Sequence, residues 1–182
     1  MRSLAIALPL CALFSIPGVL AKKGGDDCCL SPEAAKKLVD AYASILMLPS
    51  DSPKFNQTLD EIASASFSEV SDSINILAGL PLGSVTFPNR TAFEASKVRQ
   101  PVLAIETLQI SVACETITWR WRQTPTPAGP GGPASPTTVQ GIHIFDTKDR
   151  LLQTAFYEFN SVAWALDAGY NVAPPIGKPQ KR

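Results

Sequence analysis

The sequence predicts an α+β domain in which helices pack on one face of a curved antiparallel sheet. Two observations carry this expectation. Apolar residues recur at helical spacing between Ser31 and Ala63, whereas from Leu103 they alternate in runs rich in Ile, Val, Thr and Trp. The order matters as well. Helices come first and strands then follow one another, as antiparallel pairing prefers.

The first helix opens at Ser31-Pro32-Glu33: Ser as N-cap, Pro at the first helical position, and an acid near the positive end of the dipole. Ala35, Leu38, Tyr42, Ile45 and Leu46 make its apolar stripe, and Pro49 ends it. After a turn at 50–53, Leu59, Ile62 and Ala63 define a shorter second helix. From Phe67 the period changes: Phe67, Val70, Ile74 and Ile76 predict a strand and a bulge, with turn residues from Gly79 to Gly83. Asn89 is placed to cap a third helix carrying Ala92, Phe93 and Val98. Strands are then predicted at 103–115, 116–123, 139–145 and 151–163, the last two joined by the turn 146–149. Between the second and third of these lies 124–137, rich in Pro and Gly, which predicts a flexible loop.

The N-terminus predicts secretion. Arg2 begins a positively charged region, an apolar run extends from Leu4 to Leu20, and Val19-Leu20-Ala21 offers a cleavage site. The run is shorter than the roughly 20 residues a membrane span requires. Residues 1–21 are therefore read as a signal peptide, 22–28 as a flexible segment, 29–170 as the domain and 171–182 as a disordered tail. Sixteen basic residues stand against sixteen acidic ones, and loss of Arg2 leaves a net charge of −1. No basic patch stands out, so neither nucleic acid nor an anionic membrane surface is expected as a partner. Asn56-Gln-Thr58 and Asn89-Arg-Thr91 are candidate glycosylation sites in such a compartment. Cys28, Cys29 and Cys114 remain after cleavage, so one disulfide from the 28/29 pair to Cys114 is the simplest arithmetic. A single histidine argues against a metal site.

Helix, helix, strand, helix and a run of long strands resembles the nuclear transport factor 2-like superfamily. That is the cone-shaped fold of ketosteroid isomerases, scytalone dehydratase and polyketide-cyclase-like enzymes. Leu38-Val39-Asp40-Ala41-Tyr42 resembles its first helix, 65–72 the strand after helix two, and 87–93 the third-helix entry. Residues 146–151 with Gln153-Thr154 resemble its last hairpin. The strings SDSINILAGLPLGSVTFPNRTAF (71–93) and FYEFN (156–160) are similar to those of secreted fungal members of the superfamily. In that fold the strand carrying Cys114 passes close to the start of the first helix. The resemblance therefore implies pairing of Cys114 with Cys29, whose position the helix fixes.

The resemblance also implies a pocket between the helices and the concave sheet face. Tyr42 matches the tyrosine donor of the isomerases, and Asp72 lies near the position of their base carboxylate. Gly141 stands where their second oxyanion donor, a carboxylic acid, would be. Asn75, Trp119, Trp121, His143, Glu158 and Asn160 are the candidate pocket lining. His143 reaches the pocket only if Ile142 and Ile144 face outward, and Glu158 does so only if its face of the last strand is concave. The function implied is cofactor-free isomerisation, dehydration or cyclisation of a small apolar natural product in secondary metabolism. The alternative is a non-catalytic secreted ligand-binding or interaction protein, and a homodimer through the exposed outer sheet face fits either.

Overall fold

In a computed structural model of the 182-residue chain, residues 29–49, 51–97, 103–123 and 138–167 are described. The expected signal peptide (1–21), the expected flexible segment 22–28 with Cys28, the expected loop 124–137, Val98 and the expected tail 171–182 lie outside them.

Helix α1 (Pro32–Leu46) begins as its sequence dictates, with Ser31 Oγ accepting from Ala34 N–H at 3.1 Å. Helix α2 (Pro53–Ile62) follows, again with Pro in its first turn, and runs directly into β1 (Ala63–Val70). Two further helices precede the strands: α3 (Asp72–Ala78) and α4 (Arg90–Lys97). Strands β2 (Ile105–Ala113), β3 (Thr116–Gln123), β4 (Val139–Lys148) and β5 (Leu151–Phe159) come next, and α5 (Ser161–Asp167) closes the domain.

The five strands form one curved, unclosed sheet in the order β1-β5-β4-β3-β2. Consecutive strands β2 to β5 pair antiparallel, as expected. The edge differs. β1 pairs parallel to β5, with Val70 opposite Phe156, so the sheet is mixed rather than antiparallel. Among the described residues, five helices also stand where three were expected. α3 stands where the strand was predicted to continue: Ser71 Oγ caps it at Ile74 N–H, and Gly79 ends it in the left-handed region (φ 69°). The last strand stops at Phe159 because Asn160 caps α5, its Oδ1 accepting from Ala163 N–H at 2.9 Å.

The core lies between the concave sheet face and α1, α2 and α4. Ala35, Val39, Tyr42, Ile45, Phe55, Leu59 and Phe93 from the helices meet Phe67, Ile117, Trp119, Trp121, Phe145 and Leu152 from the sheet. Lys97 is buried at the end of α4, where its Nζ donates to Leu46 O at 3.1 Å and lies over the Phe55 ring. Cys29 is joined to Cys114, 85 residues on, and the adjoining Leu30 N–H donates to Cys114 O. Cys114 itself sits just past β2 at φ 52°, in the turn rather than within the strand. The bond thus ties the start of α1 to the β2–β3 hairpin.

Candidate functional site

Inside the curve of the sheet is a small set of buried polar groups. Tyr42 comes from the sheet-facing side of α1 and Glu69 from β1, two residues after Phe67 and so on the same inward face. Tyr42 Oη donates to Glu69 Oε2 at 2.8 Å, and each residue is only 1% exposed. Burial pushes the Glu69 carboxyl up to about 7, and the Tyr42 hydrogen bond moderates the rise. Burial, then the neighbouring Glu69 charge, raises the Tyr42 hydroxyl well above its usual value, so it remains a neutral donor. A carboxyl poised near neutrality inside an apolar wall can take up and return a proton without a large driving-force penalty.

His143 completes the cluster. Ile142 and Ile144 point to the outer face, so the histidine between them points inward. Its ring stacks on Tyr157 at 4.1 Å between centroids and meets the Tyr42 ring edge-on at 5.3 Å. Trp121 Nε1–H donates to His143 Nδ1 at 3.0 Å, while Nε2 has no hydrogen-bond partner among the described residues. Burial lowers the imidazole to about 3, which keeps it neutral. From His143 the aromatics continue outward through Tyr157 and Phe159 (4.9 Å) to Trp164 of α5 (6.4 Å), all three half-buried. This apolar ladder connects the buried polar cluster to the surface beside α5.

Of the residues singled out from the sequence, Tyr42, Trp121 and His143 meet in this cluster, and Trp119 packs beside it with Nε1 donating to Thr107 Oγ1. The others lie elsewhere. Asp72 Oδ1 accepts from Gly83 N–H at 2.6 Å, bracing the turn after α3. Asn75 is buried, but its side chain holds that same turn through Ser84 O and Thr86 Oγ1. Glu158 occupies the outer face, where it accepts from the backbone N–H groups of Asp72 and Ser73 and from Ser73 Oγ, serving the N-terminus of α3. Asn160 is exposed and caps α5.

Glu69 was missed by sequence reasoning. The signal was present: in Phe67-Ser68-Glu69 a large apolar residue and a carboxylate share one face of a strand. On the outer face a shallow groove of about 460 Å³ is lined by Ser73, Arg120, Gln140, Ile142 and Glu158 among others. Among the described residues, no cluster of three or more His, Cys, Asp or Glu could hold a metal ion.

A helix-backed, open curved sheet with a buried acid on its concave side defines a small α+β domain. Family comparison makes it specific: the NTF2-like domain matches residues 28–171, and the chain belongs to that family. No curated protein matches by sequence. Among solved structures, TsrD from Streptomyces laurentii is 17% identical, with a TM-score of 0.55 over 78% of this chain and 99% of that one. A protein from Jannaschia sp. CCS1 described as a SnoaL-like polyketide cyclase is 15% identical, with a TM-score of 0.56 over 80% and 98%. TerC, crystallised with polyporic acid, is 10% identical, with a TM-score of 0.57 over 75% and 98%. At these identities the likeness is one of fold.

Proposed function

We propose that this protein is a secreted NTF2-like domain that binds a small apolar natural product and moves a proton on it without a cofactor. The observation that carries the reading is Glu69: a buried carboxyl held by Tyr42, with its proton affinity near neutrality. As carboxylate it removes a proton from a carbon next to a carbonyl, becoming the acid. Returned to a different carbon of the same ligand, that proton completes an isomerisation. Given to the oxygen of a second carbonyl that the enolate carbon attacks, it completes a cyclisation; given to a β-hydroxyl that leaves as water, it completes a dehydration. Glu69 takes the base role expected of Asp72, and Tyr42 orients it. The described polyketide cyclase and the ligand-bound TerC among the structural neighbours are consistent with an apolar ligand.

Deuterium uptake tests this. 2-Tetralone in D2O should exchange its α-protons faster with the protein than with buffer, and Glu69→Gln should abolish the acceleration. Equal exchange with wild type and Glu69→Gln refutes the catalytic role. It then favours the second reading, a non-catalytic binding protein, to which the dense aromatic filling around Tyr42 and His143 also points.

The proposal extends to compartment and assembly. Residues 1–21 and the Cys29–Cys114 bond support secretion, since disulfides persist in oxidising compartments. N-terminal sequencing of exported protein should begin at Lys22. Exposed Ile142, Ile144 and Phe156 on neighbouring strands support a homodimer through the outer face. Sedimentation should show a dimer that Phe156→Glu converts to a monomer.

A further inference from the structure

His143 is a further buried polar group beside Tyr42 and Glu69, and its neighbours set its protonation pattern. An indole N–H can only donate, so His143 Nδ1, 3.0 Å from Trp121 Nε1, is the acceptor. The neutral ring therefore carries its proton on Nε2. That N–H is buried, and it has no hydrogen-bond partner among the described residues. Buried donors are almost always satisfied, and one left without a partner in a protein interior marks a place where an acceptor belongs.

The arrangement is built into the backbone. Trp121 lies directly opposite Gly141 in the β3–β4 register. A Cβ at Gly141 would fall 2.2 Å from Trp121 Cζ2 and 2.7 Å from Cε2. Only glycine lets the indole lie flat against β4 and reach His143, two residues along the strand. Stacking on Tyr157 and on Phe145 (5.2 Å, 18°) holds the imidazole plane. Glycine, tryptophan and histidine thus act in series: a notch, a donor that sets the tautomer, and a directed N–H.

We infer that His143 is the hydrogen-bond donor for a carbonyl oxygen of a planar apolar ligand, with Trp121 fixing the donor tautomer and Gly141 making room for Trp121. The flat rings of Tyr157 and Phe145 stacked on His143 select planarity, and an uncharged donor selects a neutral acceptor such as a ketone or quinone over a carboxylate. The inference rests on the small-molecule reading above and names its ligand class; it does not depend on turnover.

Because His143 is the only histidine, ¹⁵N-histidine labelling gives a spectrum of this residue alone. The free protein should show a pyridine-type Nδ1 and a pyrrole-type Nε2 from pH 8 to pH 5. A protonated ring in that range, or the opposite tautomer, overturns the inference. Two ligands of one skeleton then test the donor: 9-fluorenone, with a carbonyl, and fluorene, without. Wild type should bind fluorenone about tenfold more tightly, with a shift of the Nε2 signal that fluorene does not cause. Trp121→Phe should mix the tautomers and bring the affinity ratio towards one. Failure of fluorenone to bind, equal affinity for the pair, or binding without the Nε2 shift overturns it, and these readings need only the wild-type protein. Loss of deuterium exchange in the proton-transfer assay with an intact Nε2 response would instead reject catalysis and leave the donor in place.

Discussion

Substituting the buried acid, Glu69→Gln, should change how stability depends on pH in a way the structure makes quantitative. Glu69 is raised from 4.5 to about 7, so between those values the folded state holds a proton the unfolded chain has released, and stability falls as pH rises. His143 is lowered from 6.5 to about 3, so between those values the unfolded chain holds the extra proton, and stability rises with pH. From pH 4.5 to 6.5 the two slopes are opposite and cancel. Glu69→Gln removes one of them while its amide oxygen still accepts from Tyr42. Across these two pH units the unopposed His143 slope amounts to about 3 kcal/mol at 1.36 kcal/mol per unit. Urea unfolding at pH 4.5, 5.5 and 6.5 measures it, and taking the variant relative to wild type removes contributions from surface carboxylates. Glu69→Gln should gain about 3 kcal/mol on wild type over this interval, and His143→Gln should lose about as much. Parallel profiles for wild type and Glu69→Gln would refute the assignment of a raised, buried carboxyl.

Three further expectations follow from the geometry. Gly141→Ala places a methyl group 2.2 Å from the Trp121 ring and 2.9 Å from Glu158 O, and should lower the urea midpoint by the equivalent of about 2 kcal/mol; an unchanged midpoint would mean the indole has room to move. Breaking the Cys29–Cys114 bond with Cys29→Ser frees a loop spanning 85 residues and should cost about 4 kcal/mol, while non-reducing peptide mapping of wild type should recover the 29–114 pair and not a 28–29 or 28–114 one. Asn56 and Asn89 are both exposed, but Asn89 Oδ1 is engaged by Ala92 N–H, so glycopeptide mapping should find higher occupancy at Asn56; the reverse would contradict the cap.

Local chemistry made much of this protein legible from sequence. Ser31-Pro32 starts α1 and Asn89 caps α4 just as their side-chain chemistry suggests. Alternation in β3 placed Trp119 and Trp121 on one face, opposite Arg120 and Arg122, and both tryptophans are buried. What could not be read was long-range. The parallel pairing of β1 with β5 joins residues 86 apart, such as Ser68 and Thr154, and no local pattern encodes it. Apolar alternation at Ile74 and Ile76 imitated a strand, although Ser71 and Gly79 bracket the segment with helix caps; there the caps, not the period, carried the information. Asp72 was singled out by the resemblance, near the position of the base carboxylate, whereas the register within β1 puts Glu69 beside Phe67 and against Tyr42. Glu158 and Asn160, candidate pocket lining had their face of the last strand been concave, are consumed by the N-termini of α3 and α5.

The central claim is that Glu69 carries an exchangeable proton at neutral pH, and infrared difference spectroscopy of the titrating carboxyl groups measures it most directly. Wild type should show one protonated-carboxyl band that persists above pH 6, disappears with a midpoint near 7 and is missing from Glu69→Gln. Complete ionisation of every carboxyl below pH 5.5, or a band that survives in Glu69→Gln, would contradict the account.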